Sequence, residues 1–207
     1  MDYKGVLGQY ASEYAVSRSR FIATVTNIAN ADDAADFIRE VSKKYSDATH
    51  NCYAYIANPE MTEMKFSDAN EPQGTAGLPI LEVLKKRNLA CTAVVVTRYF
   101  GGIKLGTGGL SAAYAKATTE CLDKALIADF MYSDYYKLKT DYSMKGKIEQ
   151  AIINNGGEIA DTIYMSDVEI IYAVPVRLSE YMEEVLKGVT SGQIKPEKLY
   201  SKYYIYK

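Results

Sequence analysis

Residues 97–110 read TRYFGGIKLGTGGL, and the fold of the first half of the chain can be worked out from this stretch. Residues 90–100 lead into it as an apolar run rich in β-branched side chains, which predicts a buried strand. Residues 110–127 follow with apolar side chains at helical spacing, which predicts a helix. A glycine-rich loop between a buried strand and a helix is typical of anion sites, because the first N–H groups of the helix are free.

The glycine-rich stretch supplies several groups that can contact an anion. Glycines allow a close backbone approach and positive φ, and Arg98 and Lys104 add charged donors. The predicted anion- or nucleic-acid-binding residues are Arg98, Gly101, Gly102, Lys104, Thr107, Gly108 and Gly109, with Thr75 from a second loop. Two alternatives stay open: a glycine turn that packs the helix tightly on the sheet, and a nucleotidase-type site.

Two named phosphate-binding signatures do not match this stretch. A P-loop has four residues between its first glycine and the sequence Gly-Lys-Ser/Thr. Gly101 and Gly106 have that separation, but Thr107 stands where the lysine is required. The dinucleotide fingerprint ends in Gly or Ala, whereas Gly106-x-Gly108 is followed at that position by Ser111. The stretch therefore indicates generic anion binding rather than either of these nucleotide-binding motifs.

The second loop, residues 67–77, reads SDANEPQGTAG and is rich in residues that favour turns. Its Asp68 and Glu71, together with His50, are the candidate catalytic residues, because carboxylates and imidazole can transfer protons. The alternative is a self-bonded loop and a structural histidine. A single histidine and scattered serines do not predict a Ser-His-Asp triad.

Composition and charge exclude several classes of protein. Of the 207 residues, 48% are hydrophobic and 24% are charged, which is typical of globular proteins and not of disordered chains. The apolar runs fall far short of the roughly 20 residues that span a membrane, and the N-terminus has no apolar signal segment. The net charge of −2 argues against a protein covered in basic charge, so we expect a cytoplasmic protein with no membrane partner.

Cysteine and histidine usage predicts neither a disulfide framework nor a metal centre. Cys52, Cys91 and Cys121 are widely spaced and form no CxxC motif, so we expect reduced, buried thiols without a disulfide partner. One histidine argues against a histidine-rich zinc site, while magnesium held by Asp and Glu stays open. We predict no metal and no cofactor.

A basic stretch lies within residues 83–119, which contain no Asp or Glu. Its cations are Lys85, Lys86, Arg87, Arg98, Lys104 and Lys116. Such a patch attracts phosphates locally even on an acidic protein. The alternative for the first three is that they stabilise the C-terminal end of a helix.

The remaining pattern predicts two α+β domains, residues 1–130 and 131–207. In the first domain, strands are predicted at residues 19–27, 51–57 and 63–67, with a helix capped by Asn30 or Asp32 and another that begins at Pro79. In the second, strands at residues 136–142, 158–164, 168–176 and 200–206 alternate with two helices capped by Ser143 and Ser179. The order β-α-β-β-α-β is that of the ferredoxin-like motif.

Four runs of the first domain together resemble the IMPACT/YigZ family. They are residues 19–22 (SRFI), 47–52 (DATHNC), 67–77 and 97–110. The resemblance covers most of residues 15–126, and residues 131–207 are similar to the small C-terminal domain of bacterial members. One departure is Ala69-Asn70, where bacterial relatives tend to carry Asp-Gly. Asn accepts positive φ as Gly does, but the lost acid weakens a metal-binding interpretation of the loop.

The family resemblance implies both a fold and a function. The first domain is similar to the ribosomal S5 domain-2-like two-layer sandwich, as in domain IV of elongation factor G, and the second to the ferredoxin-like domain V of that factor. Eukaryotic relatives regulate translation through the amino-acid-starvation kinase pathway by binding partner proteins. Since the chain has no GTP-binding domain, the resemblance does not imply a GTPase.

These observations lead to one hypothesis and two alternatives. We expect a non-enzymatic regulatory protein of translation, which binds RNA phosphates or a ribosome-associated partner through Arg98, Lys104 and the two loops. The first alternative is an enzyme that acts on a small phosphorylated substrate, in which His50, Asp68 and Glu71 transfer protons or bind a metal. The second is a protein-interaction module without an anion site.

Overall fold

The computed structural model describes residues 2–206 in two units, Tyr3–Asp129 and the residues from Phe130 onward. Both units combine helices with strands, so the predicted α+β class with two domains is confirmed. No helix in this range is long and apolar enough to cross a membrane.

The first unit is built on a five-stranded antiparallel sheet in the order β2-β3-β6-β4-β5. Its strands are β2 (Gln9–Val16), β3 (Ser19–Asn27), β4 (His50–Ile56), β5 (Met64–Ser67) and β6 (Thr92–Tyr99). The short strand β1 (Tyr3–Val6) precedes them and is not part of this sheet. β6 lies at the centre because both of its faces are apolar: Val94 and Val96 point to one side of the sheet, and Ala93 and Val95 to the other.

Three helices cover the two faces of this sheet. They are α1 (Ala31–Lys44), α2 (Gly77–Lys86) and α3 (Gly106–Lys124). α2 and α3 pack on the Val96 face and enclose the larger core. α1 packs on the Val95 face through Phe37 and Val41, and thereby adds a third layer to the two layers that the resemblance implies. Asn30 caps α1 by accepting the N–H of Asp33 at 2.9 Å, as predicted.

The second unit has the predicted ferredoxin-like order. Its elements are β7 (Ile127–Thr140), α4 (Tyr142–Asn154), β8 (Glu158–Tyr164), β9 (Val168–Pro175), α5 (Ser179–Val189) and β10 (Glu197–Tyr206). The strands pair as β8-β9-β7-β10, which is the strand order of the split β-α-β motif. Leu138, Ile148, Ile170 and Met182 are buried between this sheet and its two helices.

Several boundaries differ from the sequence prediction. β1 and β2 are not predicted, and β7 begins at Ile127 rather than at Tyr136. α3 begins at Gly106 instead of Leu110, so the glycine-rich stretch enters the helix. The differences in the strands arise because pairing with neighbouring strands extends a strand beyond the residues that alternate most regularly.

Both serine caps predicted for the second unit are wrong. Asp141 caps α4, since its Oδ1 accepts the N–H of Met144 at 2.9 Å, and Ser143 lies inside the first turn. Ser179 begins α5 but donates its hydroxyl to Asp134 Oδ2 at 2.9 Å. Asp134 is a buried carboxylate of β7, and a buried acceptor draws a nearby hydroxyl away from the helix end.

Candidate functional site

The sheet register places His50 and Arg98 side by side. His50 of β4 pairs with Arg98 of β6, and Arg98 pairs on its other side with Phe21 of β3. All three share the parity of Val96 along the strands and therefore face the side that α2 and α3 cover. Two of the predicted site residues thus meet at one end of the sheet.

Glu71, from the loop of residues 67–77, closes over this row of side chains. Arg98 Nη1 donates to Glu71 Oε1 at 2.7 Å, and the hydroxyl of Tyr114 on α3 donates to the same oxygen at 2.9 Å. His50 Nε2 lies 3.8 Å from it. The side chains of Arg98 and Glu71 are only 7% and 4% exposed, so the two form a buried ion pair. The predicted anion contact of Arg98 therefore starts from a side chain that already has an acidic partner.

Arg98 nevertheless keeps one donor without a partner. Its Nε is buried and forms no hydrogen bond. The guanidinium carbon lies 5.5 Å from the ring centroid of Phe21 and 5.3 Å from that of Phe100, within cation–π range of both. A buried donor without an acceptor costs about 1–3 kcal/mol.

The hydrogen bond to His50 assigns its tautomer. Nδ1 lies 2.8 Å from the carbonyl oxygen of Ala69. Because a carbonyl only accepts, Nδ1 carries the proton, and in the neutral ring Nε2 has a free lone pair. Nε2 is the nitrogen beside Glu71, so His50 offers this atom to the same space as the ion pair.

Asp68 anchors the loop and is corrected as a candidate acid or base. Its Oδ1 accepts the N–H groups of Ala76 and Gly77 at 3.0 and 2.8 Å, and its Oδ2 that of Gly74 at 2.8 Å. Burial opposes ionisation of Asp68, but the three N–H groups outweigh it and lower the pKa of this carboxyl. The ionised carboxylate of Asp68 therefore holds the loop in place through its three hydrogen bonds to backbone N–H groups.

Two predicted anion contacts are corrected because their polar groups are used elsewhere. Thr75 is buried, and its hydroxyl donates to the carbonyl oxygen of Pro72 at 2.6 Å. The N–H of Gly101 donates to Ser19 Oγ at 3.2 Å. A Cβ on Gly101 would lie 2.1 Å from backbone atoms of Arg18, so this glycine serves close packing of two chain segments.

The backbone accounts for one of the two departures from the family pattern. Ala69 and Asn70 both adopt positive φ, 43° and 69°. Asn tolerates this conformation, as the sequence analysis expects, whereas a residue with a Cβ and no polar side chain is strained there. The carbonyl that holds His50 therefore belongs to a strained residue, Ala69.

A cavity of about 430 Å³ opens between this cluster and the start of α3. Its lining residues are Thr49, His50, Glu71, Pro72, Arg98, Phe100, Lys104, Leu105, Gly106, Thr107 and Leu110. The first turn of α3 has no side-chain cap and no acidic residue. Lys104 and Thr107 are exposed, and Lys104 forms no ion pair with any residue from 2 to 206.

The glycines of the stretch fall into distinct classes. Gly102 and Gly106 have φ of +82° and +71°, so the turn itself requires them. A Cβ on Gly109 would lie 3.3 Å from Leu105 Cβ, a tight contact within the turn. Gly108 has neither constraint: its φ is ordinary and a Cβ would meet nothing within 4 Å. The fold therefore does not require a glycine at this position, and its part in an anion site stays a prediction.

The basic stretch does not form a single patch. Lys85 pairs with Glu82, Lys116 with Glu120, and Arg87 with Asp123. Lys85 and Lys86 end α2, and Arg87 follows directly, which supports the alternative that they stabilise this helix end. The positive charge near the cavity is therefore that of Lys104 and the start of α3.

The cysteines and acids provide no further centre of chemistry. Cys52, Cys91 and Cys121 are free and buried, and burial raises the pKa of Cys52 to about 12. No group of three or more His, Cys, Asp or Glu side chains between residues 2 and 206 is arranged to hold a metal ion. Sequence reasoning missed Phe100 and Tyr114 as parts of the site. Tyr114 lies among the apolar positions of α3, where nothing in the pattern marks a polar contact.

Comparisons with known proteins cover both units. The family model of the Impact N-terminal domain matches residues 17–122, and that of the domain of unknown function DUF1949 matches residues 138–193. IMPACT family member YvyE of Bacillus subtilis is 38% identical over 87% of this chain and 83% of its own. IMPACT family member YigZ of Escherichia coli is 32% identical over 77% of this chain and 79% of its own.

A solved structure agrees over nearly the whole chain. The crystal structure of a hypothetical protein covers 96% of this chain and 98% of its own at 27% identity, with a TM-score of 0.64. The match of the Impact N-terminal domain to half of the sequence, together with relatives that align along most of their length, establishes the assignment. The chain belongs to the IMPACT family.

Proposed function

We propose that this chain is a cytoplasmic, translation-associated regulatory protein that binds an RNA phosphate at the start of α3. One observation carries the proposal: Arg98, the uncapped first turn of α3 and Lys104, which forms no ion pair within residues 2–206, line one cavity. Donors of three kinds thus line one space, in which Glu71 is the acidic residue and is already paired with Arg98.

The electrostatics of the cavity favour a single anionic group. Glu71 neutralises Arg98, so the pair adds directional donors but little net charge. Lys104 adds a full positive charge, and the helix start adds a partial one of about half a unit. An anion that enters beside the pair is attracted by Lys104 and by the helix start, and it does not have to displace Glu71.

The translational setting rests on the family. The eukaryotic relatives regulate translation by binding partners, and the folds that the resemblance implies occur together in a ribosomal translocation factor. Fold likeness is analogy, so the RNA phosphate is argued from the cavity and the setting from the relatives.

Ribosome co-sedimentation tests the proposal. We expect the protein to pellet with ribosomes at low salt, to be released at high salt, and to be lost in Lys104→Ala. Lys43→Ala on α1, an exposed lysine on the opposite face of the sheet, is the matched control. Arg98→Ala is not used, because it leaves Glu71 buried without its cation. Absence of co-sedimentation and of RNA binding at low salt would overturn the proposal.

A second candidate function is favoured by one observation. The bond from His50 Nδ1 to Ala69 fixes the ring so that Nε2 can accept a proton from a ligand in the cavity. This suits an enzyme that acts on a small phosphorylated substrate. Thermal shifts with nucleotides and sugar phosphates, with and without magnesium, identify which small ligands the protein binds. Turnover of such a ligand by the wild type, and its loss in His50→Gln, would support the enzyme over RNA binding.

A further inference from the structure

We infer that the cavity takes the terminal phosphate of a nucleotide, with the attached base stacked on Phe100. The inference rests on the proposed function and adds to it the chemical class of the ligand. A free nucleoside monophosphate and the phosphorylated end of a single-stranded RNA share this chemistry. The structure favours such an end over an internal phosphate of a continuous strand for the two reasons that follow.

The first reason is depth. The floor of the cavity is formed by Arg98, Glu71 and Leu110, which are all nearly buried, whereas Lys104 and Thr107 are exposed at its mouth. An internal phosphate carries a sugar on each side, so reaching the floor means burying both sugars. A terminal phosphate carries one sugar, and it has three free oxygens for Arg98, Lys104 and the helix start. The cavity of about 430 Å³ is the size of a small-ligand pocket, which runs from roughly 300 to 1,000 Å³.

The second reason is an aromatic ring at the mouth. Phe100 is 46% exposed although it follows directly on a buried strand. Its ring is held by the Arg98 guanidinium 5.3 Å from its centroid, and its backbone N–H donates to Thr49 Oγ1 at 3.1 Å. A base that stacks on such a ring gains about 1–3 kcal/mol whatever its identity. The ring therefore adds a base-binding surface to the cavity that the phosphate donors line.

Gly108 completes the argument. A Cβ at this position meets nothing in the protein, so it would project into open space at the first turn of α3. Gly108 does not itself line the cavity, and it lies next to Thr107, which does.

The test is fluorescence anisotropy with short single-stranded RNAs that carry the dye at the end opposite to the one examined. The probes end in a 5′-phosphate, a 3′-phosphate or only hydroxyl groups, and unlabelled AMP, ribose 5-phosphate and inorganic phosphate serve as competitors. We expect a phosphorylated end to bind about tenfold tighter than hydroxyl ends, because charge-assisted hydrogen bonds are lost without it. AMP should compete better than ribose 5-phosphate, which has no base.

Two variants and their controls assign the effect to the cavity. Lys104→Ala should abolish the preference for phosphorylated ends, and Phe100→Ala should abolish the advantage of AMP over ribose 5-phosphate. Lys43→Ala on α1 and Phe66→Ala on β5, an exposed phenylalanine away from the cavity, should change neither.

The outcomes separate the inference from the proposed function. RNA binding that is equal for phosphorylated and hydroxyl ends overturns the inference and leaves RNA binding intact. Competition by AMP that is equal to that of inorganic phosphate overturns the role of Phe100. Tight binding of AMP without binding of any RNA supports the ligand class but overturns the proposed function.

Discussion

At the residue scale, the buried pair of Arg98 and Glu71 determines how the cavity is charged. Each side chain would be costly to bury alone, and each neutralises the other across 2.7 Å. Tyr114 adds a hydrogen bond to the same Glu71 oxygen. The pair is therefore a fixed part of the floor, and it presents donors of Arg98 in a set direction.

Glu71→Gln tests this pairing. The variant leaves Arg98 buried without a counter-charge, so we expect a loss of about 3–5 kcal/mol in the free energy of unfolding. Urea denaturation measures it, with Glu82→Gln on the surface of α2 as the control, which should lose less than about 1 kcal/mol. The double variant Glu71→Gln/Arg98→Met should lose less than the sum of the two single variants, because no buried charge is left. Strict additivity would contradict the pairing.

Asp68→Asn tests the loop anchor through its pH dependence. The pKa of Asp68 in the folded protein is lowered. Its ionised form therefore stabilises the fold above the unfolded pKa of about 3.9, and this stability is lost as the pH falls through the folded pKa. We expect the variant to lose about 1–2 kcal/mol at neutral pH, since one N–H acceptor is replaced by an NH₂ group.

The difference between wild type and Asp68→Asn should shrink below about pH 4, because protonation then removes the same charge from the wild type. Urea titrations at several pH values measure it. Asp36→Asn on α1 is an exposed control that should show no such trend. A loss that stays constant down to the acid limit would mean that the charge of Asp68 has no part in it.

At the scale of elements, the start of α3 joins the fold to the site. The same few residues end a loop, begin a helix and line the cavity. Gly101 lies against the backbone of Arg18, whereas Gly108 lies against open space. Glycines that look equivalent in the sequence therefore have different physical roles.

Paired alanine substitutions separate these roles. Gly101→Ala should lower the melting temperature, because its Cβ would overlap backbone atoms, and overpacking costs about 1–3 kcal/mol or more. Gly108→Ala should raise stability by about 0.5–1 kcal/mol, since alanine favours a helix, and should weaken binding of phosphorylated RNA ends. Thermal unfolding and anisotropy on the same samples measure both. A Gly108→Ala variant that binds as well as wild type would remove this glycine from the site.

The helices and strands also show how much of the fold can be predicted from the sequence. Alternation and helical spacing predict most strands and helices, because those patterns follow from which face is buried. The caps Ser143 and Ser179 were wrong, because Asp141 competes for one helix end and Asp134 takes up the other hydroxyl. The local sequence around Ser179 does not show that Asp134 of β7 binds its hydroxyl.

The site follows the same rule. His50 and Arg98 are brought together by strand register, which residue type alone does not reveal. Charge type singled out Arg98, Lys104 and Glu71, which line one cavity, but it does not show that two of them neutralise each other. Thr75 has the chemistry of an anion contact, and only its bond to Pro72 shows that it is used elsewhere.

At the scale of the whole molecule, positive charge is balanced by negative charge. The chain carries 24 Lys and Arg against 26 Asp and Glu, so no long-range field draws in a polyanion. Within the second unit, Lys137, Lys139 and Lys145 each lie within ion-pair distance of a glutamate. RNA affinity is therefore expected to come from the cavity of the first unit rather than from a basic surface.

This distribution predicts a shallow salt dependence. Each phosphate neutralised on a single strand contributes a slope of about −0.7 to a plot of log affinity against log salt. A site that holds one terminal phosphate, with at most one neighbour near Lys104, should give about −0.7 to −1.4. Lys104→Ala should reduce the slope by about 0.7, while Lys43→Ala leaves it unchanged. Anisotropy titrations over a range of potassium chloride measure it. A slope steeper than about −3 would require several phosphates along an extended surface and would contradict binding at a single terminal phosphate.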